Sequence, residues 1–201
     1  MQVPGAESTA SWDFTVRLDD RRIGTHRFAL QPTAGQVRTL VSDARFEVKI
    51  LGITVYRYRH HNEEQWDGDC LASIEASTND HGDTTLVQGS ASGGTFKVIA
   101  NTGRKTTHAV AERCAVSFAY WNPRQLGLQS RLLDPGTGRI EQVVVSALPA
   151  STIDVHGVPT TVTGLRIGGL KTPIDVWYAN GRWVGLDTAV DGGRKLSYRL
   201  M

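Results

Sequence analysis

His60, His61, Glu63 and Glu64 place two imidazoles and two carboxylates in one short run, Tyr56-Arg-Tyr-Arg-His-His-Asn-Glu-Glu-Gln-Trp66. These are the side chains that take up and release protons near neutral pH. On a β-strand successive side chains point to opposite faces. His61 and Glu63 would then share a face with Arg57 and Arg59, and His60 and Glu64 would share the other with Tyr58. If the four converged on a pocket they would form an acid–base site. A metal would need a further ligand from another strand, with Asp67, Asp69 or His108 as contributors. The spacing specifies no metal, and neither a metal nor a cofactor is expected. The plainer reading is a charged edge strand whose cross-strand ion pairs are worth ~0–1 kcal/mol each.

Other chemistry-bearing patterns dissolve on inspection. Gly89-Ser-Ala-Ser-Gly93 resembles a nucleophile elbow, but its central residue is Ala91, so a hairpin loop is the better reading. Gly136-Thr-Gly138 follows Asp134-Pro135 and is turn chemistry without the strand-to-helix setting of a phosphate site. Cys114 is a reactive-thiol candidate beside His108 or a partner for Cys70. The two cysteines read as one disulfide in an exported protein and as two buried thiols in a reducing compartment. The bridge would stabilise by roughly 2–4 kcal/mol.

The aromatic residues offer a different chemistry. Tyr56, Tyr58, Phe118, Tyr120, Trp121 and Trp177 are candidate wall residues for an apolar ligand, with ordinary core packing as the alternative.

The elements that would position these groups are mostly strands. Trp12, Phe14, Val16 and Leu18 alternate with polar residues. Arg22 to Leu30 follows, with Gly24 marking a bulge or close approach, then Val37 to Ile50, Val55 to Trp66, Cys70 to Thr78, Thr84 to Gln88 and Thr95 to Ala100. Between Glu112 and Leu133 the spacing of Cys114, Phe118, Trp121 and Leu126 predicts one or two short helices that break near Asn122-Pro123. Gln142 to Leu148 and Val162 to Ile167 are further strands. Asn180-Gly181 predicts a type I′ hairpin in which Tyr178 faces Trp183, Trp177 faces Val184 and Val176 faces Gly185. Gly192-Gly193 turns the chain into Leu196, Tyr198 and Leu200. About ten strands result. They form a mostly β fold, a single strongly curved antiparallel sheet, half-barrel or barrel, with one or two short helices in its concave face. Small residues such as Gly52, Gly164, Gly168, Gly169 and Gly185 would widen the enclosed space.

The chain has 201 residues and a formal net charge of +2. Its basic residues spread from Arg17 to Arg199, too evenly for a nucleic-acid footprint. No apolar run of about eighteen residues exists to span a membrane. Residues 1–11 read as a flexible tail and 12–201 as one β domain. The opening Met-Gln-Val-Pro-Gly has neither basic nor apolar leader character and reads as a mature exported protein given a new Met1.

Trp12-Asp-Phe-Thr-Val-Arg-Leu-Asp-Asp, Val55-Tyr-Arg-Tyr-Arg-His and Cys114-Ala-Val-Ser-Phe-Ala-Tyr-Trp-Asn-Pro together resemble an uncharacterised family of small exported proteobacterial proteins known only as a domain of unknown function. The resemblance supplies no catalytic residue. More distantly, a curved meander, a mid-chain helical stretch and a closing Trp…Gly…Leu-x-Tyr-x-Leu hairpin are similar in pattern to periplasmic lipoprotein carriers of the localisation-factor type. That likeness implies a periplasmic or secreted, non-enzymatic binder of a lipid or other apolar molecule. The alternatives are an envelope-lipid enzyme using His60, His61, Glu63 and Glu64, or an interaction module that docks an envelope protein through its Tyr/Arg stripe.

Overall fold

The computed structural model describes residues 9–33, 35–51, 53–112 and 114–201. Most of residues 1–11 and Gly52 therefore lie outside the described residues. Ala10 and Ser11, expected in the tail, already belong to the first strand.

The chain lays down β1 (Ala10–Leu18), β2 (Arg21–Pro32), β3 (Val37–Ile50), β4 (Ile53–Asp67), β5 (Cys70–Asp80), β6 (Asp83–Ser92), β7 (Thr95–Thr102) and β8 (Lys105–Glu112) as one antiparallel meander. After a central segment come β11 (Val144–Val155), β12 (Val158–Gly168), β13 (Ile174–Ala179), β14 (Arg182–Ala189) and β15 (Lys195–Leu200). The two meanders join where β15 pairs with β1, from Phe14↔Leu200 to Leu18↔Leu196. The result is a 13-stranded antiparallel sheet with β11 and β8 at its edges. The expected single antiparallel sheet is present and, of the two forms expected, it is the unclosed half-barrel and not the barrel, with more strands than the about ten expected. The smooth period-2 burial of β1, with Trp12, Phe14, Val16 and Leu18 all buried, shows why the sequence folds this way: one face is apolar and packs into the core, while the antiparallel neighbours take up the backbone hydrogen bonds.

Two close approaches tighten the curve. Opposite Gly24 the β1–β2 register slips between Val16 and Arg17. A Cβ at Gly24 would lie 1.9 Å from the Arg45 carbonyl oxygen, so only glycine lets β2 and β3 meet there. The expected close approach at Gly24 is thus met. At the final hairpin, Asn180 and Gly181 take φ of 50° and 77°, as a type I′ turn requires. Tyr178 faces Trp183 as expected, but a bulge follows: Trp177 pairs with Gly185 and Val176 with Leu186. Val184 is the extra residue, which lets Trp183 and Val184 both bury, at 1% and 3% exposure.

The central segment fills the interior. The expected helices shrink to a single turn, α1 (Pro123–Leu126). Asn122-Pro123 starts this turn instead of breaking one: the Asn122 side chain accepts from the Gln125 N–H and Pro123 takes a first-turn position whose N–H is not needed. The rest is extended. A bridge pairs Ser117 with Leu133, and β9 (Arg131–Leu133) pairs with β10 (Ile140–Gln142). Leu126, Leu132 and Leu133 are buried against the sheet. Gly138, at φ 71°, presses where a Cβ would stand 2.7 Å from Ala100 Cβ. Cys70 and Cys114 form a disulfide that ties this segment to the start of β5, and Leu71 N–H donates to the Ala115 carbonyl alongside. No helix among the described residues is long and apolar enough to cross a membrane.

Candidate functional site: a cavity with a neutral polar floor

β4 is an interior strand, paired with β3 on one side and β5 on the other, not the edge strand expected. Its alternation is strict: Arg57, Arg59, His61, Glu63 and Gln65 are exposed, while His60, Asn62, Glu64 and Trp66 are buried. The four-residue acid–base cluster is thereby split. His61 meets Asp43 at 2.9 Å on the outer face, and Glu63 stands outside, opposite Glu75. His60 and Glu64 point inward.

Cross-strand register then assembles neighbours that the sequence keeps far apart. His26, Ala44, His60 and Thr78 form one row across β2 to β5. Ala44 is the small residue between the two imidazoles, whose ring centres lie 6.4 Å apart. The next row is Phe28, Ser42, Asn62 and Ala76, and the next Leu30, Leu40, Glu64 and Ile74. Above them Phe46 and Tyr58 stack at 5.2 Å. These rows floor a cavity of about 540 Å³. Phe118 and Tyr120 of the central segment face it, Leu186, Leu196 and Tyr198 close one side, and the exposed Arg139 and Lys171 stand at its rim.

The floor carries polar groups but little charge. His60 Nδ1 lies 2.8 Å from Thr78 Oγ1, and burial lowers its pKa to about 4. His26 Nε2 is 3.0 Å from Ser42 Oγ and Nδ1 is 3.4 Å from the Tyr198 hydroxyl. Burial, and then the neighbouring His60, holds its pKa well below the usual histidine value. Glu64, 1% exposed, accepts from Asn62 Nδ2 and Trp66 Nε1, each at 2.9 Å. Desolvation outweighs these bonds and raises its pKa. Burial also pushes the Tyr58, Tyr120 and Tyr198 phenols upward. Near neutral pH the imidazoles and phenols are uncharged and burial biases the floor carboxyl, Glu64, towards its neutral form, while Asp134 and Glu141 of the central segment add carboxyl groups to the cavity lining.

Ser42 beside His26 has the outline of a nucleophile and base. Yet a desolvated histidine is a weak base, and Ser42 sits mid-strand between partners in β2 and β4, where backbone N–H groups serve the ladder instead of an oxyanion. The pair reads as hydrogen-bonded lining.

Of the six aromatic wall candidates, Tyr58, Phe118 and Tyr120 line this cavity. Tyr56 lines a second one of about 640 Å³ that shares His26, Tyr58, Leu196 and Tyr198 with the first. Trp121 does not line either: it packs edge-on to Trp66 at 5.5 Å, under the Arg38 guanidinium. Trp177 lies over Gly164, with Nε1 donating to Asp187, in a separate outer groove. Asp67, Asp69 and His108 are exposed, and among the described residues no three His, Cys, Asp or Glu side chains come together to hold a metal. The sequence reading missed His26, Ser42 and Asn62. The one signal for them was polar residues at inward positions of apolar-alternating strands.

A family model described as a domain of unknown function, DUF6134, matches residues 14–201. Comparison with curated proteins yields no match. Among solved structures, the chain is similar to a β-barrel-like protein of the domain of unknown function DUF1849 from Brucella abortus, at 13% identity and a TM-score of 0.65 over 96% of this chain and 94% of that one. That likeness concerns the fold.

Proposed function

The chain belongs to the DUF6134 family, and from that premise we propose that it is a non-enzymatic binding or carrier protein for a lipid or similar amphiphile. The observation that carries this reading is the cavity of about 540 Å³, well above the roughly 300 Å³ at which a pocket suits a small ligand. Phe28, Leu40, Phe118, Ile174, Leu186 and Leu196 supply apolar wall, the part of the site that accepts a hydrocarbon segment. The floor suits an uncharged polar end. Asn62 Oδ1 is buried without a hydrogen-bond donor among the described residues, and such an acceptor is costly to leave unmade. A ligand hydroxyl or amide N–H would satisfy it. The Cys70–Cys114 bridge supports residence in an oxidising compartment, periplasmic or secreted.

Enzymatic use of the four-residue cluster has less support, because His61 and Glu63 face away from His60 and Glu64. Docking through an exposed Tyr/Arg stripe also loses support, because Tyr56 and Tyr58 are half-buried and turned inward.

Native mass spectrometry of protein purified from the periplasm, followed by organic extraction, tests the proposal. A reproducible added mass that extracts as lipid is expected, and Leu196→Trp, which fills the space shared by both cavities, should abolish it while the fold is retained. A clean apoprotein mass, together with no displaceable binding of the neutral probe N-phenyl-1-naphthylamine, would overturn it.

A further inference from the structure

The β3–β4 hairpin ends in Ile50-Leu51-Gly-Ile53-Thr-Val55. Ile50 is 55% exposed, Leu51 98%, Ile53 69% and Val55 42%. Neither turn chemistry nor the core asks for this. Leu51 takes a φ of +50°, a position where glycine, asparagine or aspartate is favoured, and its side chain touches almost nothing. Apolar residues bunched at one projecting tip mark a contact surface, unlike scattered exposed leucines.

Two neighbouring features say what covers it. Beside the tip is a cleft of about 280 Å³ lined by Arg21, Arg22, Lys49 and Arg194, with Glu47 as its one carboxylate. Glu47 is already engaged by Lys49 at 3.2 Å and Arg57 at 3.1 Å, and Arg194 is paired with Asp19. The cleft thus presents a surplus of positive charge directly below the apolar residues. Ile50 and Val55 also line the second cavity, which shares its inner wall with the first.

We propose that the β3–β4 hairpin tip docks on an anionic phospholipid bilayer, with Ile50, Leu51 and Ile53 entering the acyl boundary and Arg21 and Arg22 taking phosphate headgroups. Apolar side chains inserted at the interface, backed by cations against anionic lipid, are what reversible surface binding requires. The tip would then bring the mouth of the second cavity against the membrane, where an amphiphile passes between bilayer and protein without crossing water. The docking stands on the hairpin and cleft alone and does not depend on what the cavities hold.

Vesicle flotation tests it, using phosphatidylcholine vesicles with and without phosphatidylglycerol. The wild type is expected to float with the anionic vesicles and far less with the neutral ones. Leu51→Asp should weaken partitioning by about tenfold or more, with an unchanged melting temperature because the residue is almost fully exposed. Arg21→Ser/Arg22→Ser should reduce the preference for anionic vesicles, and Val158→Asp, at an exposed apolar site on the opposite end of the sheet, should change nothing. Inorganic phosphate added at constant ionic strength should not release the protein, since the bilayer is the ligand. No flotation of the wild type, equal partitioning of Leu51→Asp, or an equal loss in Val158→Asp would overturn the proposal. Each of these results leaves the ligand mass seen by native mass spectrometry untouched, so the docking and the cavity reading fail separately.

Discussion

The inward face of β4 changes character along its length. At its C-terminal end Trp66 is sealed against Trp121 and Leu71, beside the Cys70–Cys114 bridge. Two and three rows away the same face carries Asn62 and His60, and there the interior is hollow. Alternation is identical in both regions, and so is burial. What differs is the chemistry of the inward residues. Where they are wide and apolar the central segment packs down on the sheet; where they are polar and paired only along the wall, space remains in front of them. In this protein a polar residue at an inward strand position marks the cavity better than an aromatic one does. Trp121 and Trp177, both candidates for the wall, line neither of the two connected cavities.

The contrast can be broken first at the sealed end. Trp66→Ala should cost about 3–5 kcal/mol, because it opens a void in packed core and strips Glu64 of a hydrogen-bond donor. Urea denaturation measures it, and a loss below about 1 kcal/mol would mean the sealed end is no better packed than the hollow one.

Acid should act on the hollow end. The folded pKa of His60 is about 4, against an unfolded value of 6.5. Between these values the unfolded chain binds a proton that the folded chain refuses. The stability from a neutral His60 is fully present above pH 6.5 and is lost as pH falls towards 4, by roughly 3 kcal/mol in total. His26 adds a loss of the same sign. Melting temperatures from pH 7 to 4 should therefore fall, and His60→Gln should flatten the slope.

Glu64 works in the opposite sense. Its folded pKa is raised above 4.5, so the folded chain holds a proton that the unfolded chain has released, and stability declines as pH rises through that window. Glu64→Gln should remove this component and leave the histidine contributions unopposed, seen as a larger rise in melting temperature from pH 5 to pH 8 than the wild type shows. The smallest effect belongs to the outer face. Asp43→Asn removes the exposed pairing with His61 and should change stability by less than about 1 kcal/mol; a larger loss would place the outer face on a par with the inner one.

Much of the sheet was legible because its signal is local. Val37–Ile50 and the Asn180-Gly181 turn were readable from alternation and turn chemistry. Lys105–Glu112 was not, because as an edge strand it carries threonine, alanine and histidine where a central strand would alternate large apolar residues. The bulge at Val184 was invisible for another reason: it is set by what the inner and outer faces of β14 pack against, which the hairpin does not contain. The candidate site was half legible. Alternation put His60 and Glu64 on one face, but their neighbours His26 and Ser42 arrive through the registers of β2 and β3, and Tyr198 through the far end of the chain. Nothing within the β4 run points to them.

The pairing of β15 with β1 has a kinetic meaning. Each flank of the sheet is a meander whose contacts are local and quick to form, whereas this seam joins Phe14 to Leu200 across nearly the whole chain and pays its loop-closure entropy at once. The cavity straddles the seam, with His26 and His60 from one flank and Leu186, Leu196 and Tyr198 from the other. The pocket therefore comes into being only when the slowest contacts close, and a ligand that fills it acts as a clasp on the last step of folding.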